Sequence, residues 1–267
     1  MPALKHEPGL VKALAAWNPK CILNPIAVDE KRGWILLPDG GQTLREVLQV
    51  EKDVSHWHHI LPIYARLQIK MIKHCDDLLQ LGILDRRLKV LPGLFQSLLQ
   101  DKDALLLDQE KGLSQQDYRR ISESIPCFAS MCLQLAELGI PESLHHDDFH
   151  DGNIFYQTGR PVFFDWGESC LAHPFFSMLV GLRSIAYRFE WDAKAPELNQ
   201  LRDRYLSEWK NFANPDELQK AFSLAQRIGM VNRALTWHLV VSNLEGADRE
   251  EYADSVPGWL QDFLYSE

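Results

Sequence analysis

Polar side chains are concentrated in one short stretch of the chain, directly before an apolar segment that should be buried. Seven of nine consecutive residues there carry carboxylate, imidazole or carboxamide groups: His145, His146, Asp147, Asp148, His150, Asp151 and Asn153. Placing so many carboxylates and imidazoles beside a core costs several kcal/mol of desolvation unless a metal or a substrate charge compensates it. This stretch is therefore the strongest candidate for a functional site.

The spacing of these residues separates two kinds of chemistry. A metal-dependent hydrolase needs an array such as H-x-H-x-D-H or H-E-x-x-H, and the order of residues 145–150 matches neither pattern. A phosphotransferase loop instead has an aspartate, an asparagine five residues later, and a metal-binding aspartate at the end of a following strand. Asp148, Asn153 and Asp165 have this arrangement. The spacing favours phosphoryl transfer, with hydrolysis at a His/Asp metal site as the weaker alternative.

The same residues resemble two motifs of a known family of small-molecule kinases. Residues 146–153 resemble the H-G-D-L-H-x-G-N motif of the aminoglycoside phosphotransferase family, and residues 163–166 resemble its I-D-W/F motif. The resemblance implies a protein-kinase-like fold and transfer of phosphate from ATP, with Mg²⁺, to a hydroxyl group of a small molecule. Asp147 departs from the motif, in which glycine is usual, and adds negative charge and bulk beside the catalytic position.

Within this resemblance, the polar residues of the loop have expected roles. Asp148 is expected to accept a hydrogen bond from the substrate hydroxyl and to orient it for attack on the γ-phosphate. Asn153 and Asp165 are expected to supply oxygen ligands to Mg²⁺, which prefers carboxylate and amide oxygens. His146 is expected to brace the loop, and His150 either braces it or contacts phosphate. Ordinary structural hydrogen bonds account for both histidines equally well.

The expected contacts to the adenine base lie near the N-terminus. Residues 33–37 resemble the hinge strand of the family, in which one carbonyl and the amide two residues later bind the base; these would be the carbonyl of Leu37 and the amide of Asp39. Pro38 lies between them, and its missing N–H removes nothing that such a hinge uses. An ordinary turn at the end of a strand is an equal alternative.

The segment that begins at Glu7 resembles the glutamate-bearing helix of a kinase N-terminal lobe, which implies that Glu7 contributes to cofactor binding. A complete lobe also carries a phosphate-covering loop and a strand lysine that pairs with this glutamate. Six residues precede Glu7, and Lys5 is too close to it to come from a preceding strand. We therefore expect a truncated N-terminal lobe, with a start site further upstream as the favoured reason. A partner that supplies the clamp, or loss of phosphotransfer, are the alternatives.

Hydrophobic patterning and the resemblance together predict an α+β, protein-kinase-like fold. A truncated, β-containing N-terminal lobe and hinge would occupy residues 1–41, and a large, mainly helical C-terminal lobe with the catalytic hairpin would occupy residues 42–267. Residues 43–46 offer a capping box, with Thr43 at the N-cap and Glu46 three residues later, so a helix should begin there.

Other elements follow from periodicity and from turn residues. A first hairpin should turn at residues 29–33, and strand character returns only once, in a hairpin at 153–165 that turns at 157–160. The apolar stripe from Trp57 to Leu79 predicts a helix that Pro62 kinks or ends. Pro126 should likewise kink a second helix, which ends at Gly139, or mark its boundary. A further helix start is expected at Asn214-Pro215, and residues 85–87 read as a solvated helix end.

Composition excludes several classes of protein. The 267 residues are 46% hydrophobic and 24% charged, which is typical of a folded globular protein and not of a disordered or fibrous one. A formal net charge of -9 argues against a nucleic-acid or membrane-surface binder and mildly favours a cationic small-molecule acceptor. No apolar stretch is long enough to span a membrane. The five cysteines lack C-x-x-C spacing, which indicates free thiols in a cytoplasmic protein.

The sequence therefore predicts an ATP- and Mg²⁺-dependent phosphotransferase that acts on a hydroxyl of a small molecule. A degenerate, non-catalytic binding module is the main alternative, because Asp147 is unusual and the phosphate clamp is missing. The acceptor itself is not predicted, since aminoglycosides, choline-like amines and sugars all fit this architecture.

Overall fold

Twelve α-helices and seven short strands make up the part of the chain that the computed structural model describes, residues 5–157 and 159–266. The helices, in chain order, are α1 (Glu7–Trp17), α2 (Leu44–Glu51), α3 (Ser55–Met71), α4 (Cys75–Gln80), α5 (Leu91–Leu98), α6 (Gln115–Glu123), α7 (Ile125–Glu137), α8 (Ser177–Phe189), α9 (Pro196–Leu206), α10 (Pro215–Ser242), α11 (Gly246–Tyr252) and α12 (Ser255–Tyr265). The strands are β1 (Ala27–Asp29), β2 (Trp34–Leu36), β3 (Leu84–Asp85), β4 (Ser143–His145), β5 (Ile154–Gln157), β6 (Arg160–Phe163) and β7 (Cys170–Ala172).

The N-terminal elements agree with the sequence analysis. Strands β1 and β2 form the first predicted hairpin, in antiparallel register with Val28 opposite Ile35. Helix α2 begins with the predicted capping box, because the Thr43 hydroxyl accepts the N–H of Glu46 while the Glu46 carboxylate accepts the N–H of Thr43 at 2.7 Å. Both predictions rest on local hydrogen bonds and are confirmed. The division between residues 41 and 42 into two domains stays a prediction.

The alternative that Pro62 marks a helix boundary is wrong, because α3 continues from Ser55 to Met71 with Pro62 inside it, and a kink at Pro62 stays a prediction. A proline lacks the N–H that would bond to the carbonyl four residues earlier, which here belongs to His58. The side chain of Arg204 in α9 donates to that carbonyl instead, at 3.2 Å. The lost helical bond is thus replaced from a neighbouring helix. The helix predicted from the apolar stripe between Trp57 and Leu79 is interrupted later, at a single 3₁₀ turn between α3 and α4.

The expectation that strand character returns only once, in the hairpin at 153–165, is also wrong, because strands occur outside that hairpin. Strands β5 and β6 form that hairpin, with Ile154 opposite Phe163, although its predicted turn includes Thr158, which lies outside the described residues. A separate three-stranded sheet has β7 in the middle, parallel to β3 and antiparallel to β4. These strands are two or three residues long, and every residue of β4 and β7 is buried. They carry no alternating pattern that sequence analysis could detect.

Helix α10 is the longest described helix, with 28 residues, and it passes beside the polar loop between β4 and β5. Its start is the predicted one: the Asn214 side chain caps it, and Pro215 stands at the first position. Helix α7 likewise begins at Ile125, with Pro126 in its first turn. Within the described ranges, no helix has the length and apolar character needed to cross a membrane.

An aromatic cluster anchors the polar loop to the core. The ring of Phe149, which is fully buried, stacks on Tyr64 of α3 with ring centroids 4.0 Å apart. Trp57 and Phe163 flank the same ring, each with its centroid 6.0 Å away. Because Phe149 follows Asp148 directly, this packing determines where the polar side chains of the loop can lie.

We expect Phe149→Ala to lower the free energy of unfolding by about 3–5 kcal/mol, because it leaves a cavity among three large aromatic side chains. Urea unfolding measures the change. Leu133→Ala is the control, since Leu133 is 67% exposed on α7 and should change stability by no more than about 0.5 kcal/mol. Equal losses in the two variants would contradict the anchoring role of Phe149.

Candidate active site

Asp148 lies at the centre of the hydrogen bonds in the polar loop. Its Oδ1 accepts from Arg233 Nη2 at 2.9 Å, and its Oδ2 lies 3.1 Å from both His150 Nε2 and Asn153 Nδ2. Burial raises the pKa of Asp148, but the hydrogen bond from His150 and the charge of Arg233 outweigh that effect, so the pKa lies well below its ordinary value. Asp148 is therefore an ionised and firmly oriented carboxylate at neutral pH.

His150 connects the backbone of the loop to Asp148. Its Nδ1 accepts the N–H of Gly152 at 2.9 Å, so in the neutral ring the proton is on Nε2, which faces the Asp148 carboxylate. Arg45 of α2 lies against the same turn, and a Cβ at position 152 would stand 2.7 Å from its guanidinium carbon. A side chain at position 152 would therefore have to displace the ends of the Arg45 and His150 side chains. His150 both bonds to the loop backbone and contacts Asp148.

His146 links the loop to the segment that precedes Asp165. Its ring is fully buried, and burial lowers its pKa, so it stays neutral. Nε2 donates to the carbonyl of Phe164 at 3.0 Å, and the ring lies against Trp166 with centroids 4.7 Å apart. These contacts are consistent with the bracing role expected for His146, which stays a prediction. Its Nδ1 is buried without a hydrogen-bond partner among the described residues.

Asn153 and Asp165 lie on adjoining parts of the second hairpin. The Asn153 side chain donates through Nδ2 to the carbonyl of Asp148 at 2.9 Å as well as to its carboxylate, so its Oδ1 has no hydrogen bond within the described residues. The Asn153 carbonyl accepts from Phe164 at 3.1 Å, which places Asp165 one residue beyond the paired strands. Asp165 is exposed and has φ of 59°, a left-handed conformation that is uncommon for residues other than glycine.

Glu7 of α1 lies against the residue that follows Asp165. Its Oε1 accepts the N–H of Trp166 at 3.0 Å. Burial and then the nearby charge of Asp165 raise the pKa of Glu7, against the opposing effect of the Trp166 N–H. No lysine or arginine pairs with Glu7 in the part of the chain that is described. Two carboxylates are thus close together without a cationic partner.

This set of oxygen atoms fits a hard divalent cation. Asn153 offers an amide oxygen, and Asp165 and Glu7 offer carboxylates, which are the donors that Mg²⁺ prefers. The loop histidines do not converge on one point, since each is hydrogen-bonded to a different partner. Among the described residues, no group of three or more His, Cys, Asp or Glu side chains could hold a metal ion. The geometry therefore supports the phosphotransferase interpretation over the metal-dependent hydrolase.

The side chain of Asp147 points into the protein, where it is 2% exposed. Its Oδ1 lies 2.7 Å from His145 Nε2 and 3.2 Å from Asn232 Nδ2, and its Oδ2 accepts from the Thr236 hydroxyl. Burial raises the pKa of Asp147, but His145 and two arginines outweigh it, and the pKa lies well below its usual range. The charge that was expected beside the catalytic position is instead satisfied in the interior.

Arg86 supplies part of that compensation. Its Nη1 donates to the carbonyl of Asn232 at 3.0 Å and to the Thr236 hydroxyl, and it lies 3.7 Å from Asp147 Oδ2. The prediction that residues 85–87 form a solvated helix end is therefore wrong: Arg86 follows strand β3 and is 5% exposed. Burial of a guanidinium requires a nearby carboxylate, and Asp147 provides it.

Sequence analysis missed Arg233, which comes from α10, 85 residues after Asp148. Its guanidinium is buried, with Nη1 2.6 Å from Glu168 Oε2 and 3.8 Å from Asp147 Oδ2, while Nη2 bonds to Asp148. One feature of the sequence could have indicated its role. Asn232, Arg233 and Thr236 interrupt an otherwise apolar helical segment, and polar residues on a buried helix face need partners.

The proposed hinge is tied to the catalytic hairpin. Leu37 and Asp39 follow β2, beyond its pairing with β1, and the Asp39 carboxylate accepts the N–H of Gly41 at 2.8 Å. A Cβ at Gly40 would stand 2.2 Å from the ring of Phe155, so this position requires glycine. Phe155 in turn stacks on Phe164 at 4.0 Å. The hinge segment therefore packs on the aromatic pair that leads to Asp165.

We expect Asp147→Asn to destabilise the fold by about 3–5 kcal/mol at neutral pH, because it leaves Arg86 buried without its carboxylate. Urea unfolding at several pH values measures this. The lowered pKa of Asp147 means that its contribution is complete above the ordinary carboxyl pKa, about 3.9, and is lost as the pH falls toward its lowered value. The difference from wild type should therefore shrink in acid. Asp103→Asn, at an exposed position, is the control, and a pH-independent difference would contradict the ion pairing.

Comparison with known proteins gives one family and one fold. A model of the phosphotransferase enzyme family matches residues 72–219, and no curated protein matches the chain. The GDP complex of aminoglycoside 2'-phosphotransferase-IIIa is 12% identical with a TM-score of 0.61, over 98% of this chain and 82% of its own. Choline kinase from Cryptosporidium parvum is 16% identical with a TM-score of 0.60, over 96% of this chain and 76% of its own.

A choline/ethanolamine kinase family protein from Mesorhizobium loti is similar to the same extent, with 14% identity and a TM-score of 0.59 over 98% of this chain and 79% of its own. At these identities the structures show a shared fold, and the predicted α+β, protein-kinase-like class is confirmed. The matched residues 72–219 are more than half of the chain and include Asp148, Asn153 and Asp165. The chain therefore belongs to the phosphotransferase enzyme family, as its resemblance to the aminoglycoside phosphotransferases implied.

Proposed function

We propose that this protein transfers the γ-phosphate of ATP to a hydroxyl group of a small molecule and that Mg²⁺ is its metal. The observation that carries the proposal is the environment of Asp148: three donors hold its carboxylate ionised and oriented, and one of them, Asn153, is bonded through its backbone to Phe164, the residue before Asp165. Family membership supports a small-molecule phosphotransferase, and the solved structures of kinases with the same fold are consistent with this.

Asp148 would act on the acceptor. Its remaining lone pairs can accept a hydrogen bond from the substrate hydroxyl and direct that oxygen at the phosphorus atom in line with the leaving group. Because its pKa is lowered, Asp148 is a weak base, so it would take the proton late, as the new P–O bond forms. Arg233 and His150 act as positioning residues, since both bind the carboxylate and neither is proposed to react.

Asn153 and Asp165, with Glu7 beside them, would hold the metal through oxygen atoms. Bound Mg²⁺ supplies positive charge to the phosphate oxygens during transfer. The nearby charge of Asp165, which is one of the causes that raise the pKa of Glu7, supports a role for Glu7 on the metal side of the site. The Leu37 carbonyl and the Asp39 amide would bind adenine at the hinge.

The acceptor would enter beside α10. A cleft of about 390 Å³ is lined there by Arg233, which contacts Asp148, and by aromatic side chains that include Trp237 and Trp259. The guanidinium of Arg183 already covers the face of Trp259, 4.5 Å from its ring centroid. A flat, partly aromatic wall suits a small molecule, and a cationic acceptor stays a prediction of the sequence.

The five unpaired cysteines are consistent with a reducing compartment, so we include a cytoplasmic location in the proposal.

A non-catalytic binding module is the second candidate, and it is favoured because no lysine pairs with Glu7 among the described residues. Kinases use a lysine opposite this glutamate to hold the ATP phosphates. A module of this kind would bind nucleotide without turnover, and the activity of Asp148 variants separates the two functions.

We expect Asp148→Asn to reduce kcat by about 10²–10⁴-fold, because the substrate hydroxyl loses its oriented acceptor. ADP release in the presence of ATP, Mg²⁺ and a panel of hydroxyl-bearing metabolites measures turnover. Asp103→Asn should leave kcat unchanged, since Asp103 is exposed and outside the site. Nucleotide binding without acceptor-dependent ADP release in the wild-type protein would identify the binding module, and turnover that Asp148→Asn leaves intact would contradict the proposed site.

We expect Arg233→Gln to shift the acidic limb of the pH profile of kcat/KM upward, because the Arg233 charge is one of the causes that lower the pKa of Asp148. A carboxylate with a lowered pKa stays active until the pH falls through that pKa, so raising the pKa moves the loss of activity to higher pH. Arg233→Lys, which keeps the charge, should restore most of the wild-type profile. An unshifted acidic limb in Arg233→Gln would mean that Arg233 has a structural role only.

A further inference from the structure

A second cavity, of about 840 Å³, plays no part in the proposed reaction. It is bounded by the segment after α1 at residues 18–24, by one face of α3 and by the end of the second hairpin at residues 159–162. Its volume lies within the range of about 300–1,000 Å³ that is usual for small-molecule sites. Walls on three sides and this volume suit a small molecule better than an extended chain.

The charges around this cavity are all of one sign. Four cationic side chains line it, namely Lys20, Arg66, Lys70 and Arg160, and no aspartate or glutamate does. This composition contrasts with the net charge of -9 of the whole chain. The cavity is therefore a concentrated positive region on an acidic protein.

Most of these cations have no carboxylate partner. Arg66 pairs with Glu208 at 2.8 Å, and Lys70 donates to the amide oxygen of Asn18 at 3.3 Å. Lys20 and Arg160 form no ion pair within the described residues. Like charges that share a concave surface repel one another, and an anion between them removes that repulsion.

Three of these cations lie close enough to one buried residue of the cavity to affect its pKa. Cys21 is buried there, and burial raises the pKa of its thiol. The charges of Lys70, Arg66 and Lys20 all oppose that rise, so three cations from two elements act on one point. The apolar side chains of Ile63, Leu67 and Val162 complete the floor and wall.

We propose that this cavity binds a small organic anion with two or more negative charges, a polycarboxylate or a phosphate compound. The cations supply charge-assisted hydrogen bonds, and the apolar floor accommodates a carbon skeleton. The site is separate from Asp148 and its partners, and the proposal does not depend on the proposed phosphotransfer.

The cavity is connected to the catalytic hairpin by one backbone hydrogen bond and one hydrogen bond from a side chain. The N–H of Phe163 donates to the carbonyl of Cys21 at 2.8 Å, and His59 Nε2 donates to the carbonyl of Gly159 at 3.0 Å. An anion between Lys20, Lys70 and Arg160 would hold together three segments that are otherwise joined by few charged contacts. Binding should therefore raise the melting temperature.

Titration calorimetry with citrate and with pyrophosphate tests the proposal. The titrations are done at constant ionic strength in buffer freed of metal ions by a chelating resin, so that no bound metal near Asp165 attracts an anion and no soluble chelator competes for the cavity. We expect one anion per chain and at least tenfold weaker binding to the double variant Lys20→Gln/Lys70→Gln. Both lysines are exposed, so the variant should fold normally, and its melting temperature without ligand checks this.

Lys194→Gln/Lys220→Gln is the matched control, because it removes the same charge from positions outside the cavity. Its affinity should equal that of the wild type. Binding of citrate alone would identify a polycarboxylate site, and binding of pyrophosphate alone would identify a phosphate site. Absence of saturable binding for both anions, or an equal loss of affinity in the two double variants, would overturn the proposal.

Discussion

The candidate site depends on the ion pairs that the buried guanidinium of Arg233 makes with three carboxylates. It lies 2.9 Å from Asp148, 2.6 Å from Glu168 and 3.8 Å from Asp147, and it is 5% exposed. Its positive charge offsets the mutual repulsion of these three carboxylates, of which Asp147 is fully buried and Asp148 and Glu168 are partly buried. Because Arg233 belongs to α10, this long helix must lie against the polar loop, and the position of Asp148 is thereby coupled to the packing of the C-terminal helices.

The other polar residues of the loop use some of their atoms to hold the loop in place, and other atoms bind Asp148 or stay available. His150 uses one nitrogen for the Gly152 backbone and the other for Asp148, and Asn153 uses its amide nitrogen for Asp148 while its oxygen stays available. His146 ties the loop to Phe164, and Phe149 anchors it in the core. A loop held at this many points is preorganised, which is what phosphoryl transfer requires of a protein.

Two unusual residues, Asp147 and Arg86, compensate each other's charge. Asp147 stands where the related motif has glycine, and Arg86 is a buried arginine at the end of a short strand. Without Asp147, Arg86 would be a buried charge with no carboxylate partner among the described residues. Together with Thr236 and Asn232 the two residues form a buried polar network. The departure from the motif therefore changes what lies behind the catalytic loop and leaves the front, where Asp148 faces the site, free of its charge.

Sequence alone determined the features whose interactions are local. The capping box at Thr43, the start of α10 at Asn214-Pro215 and the hairpin of β5 and β6 each depend on a few consecutive residues, and the spacing of Asp148, Asn153 and Asp165 lies within one such hairpin and its loop. Only the tertiary structure decided the rest. The small β3–β7–β4 sheet, the passage of α3 through Pro62 and the burial of Arg86 and Arg233 depend on partners about 25 to 150 residues away. Whether a charge is buried is decided by which opposite charge the fold brings to it, and periodicity carries no information about that partner.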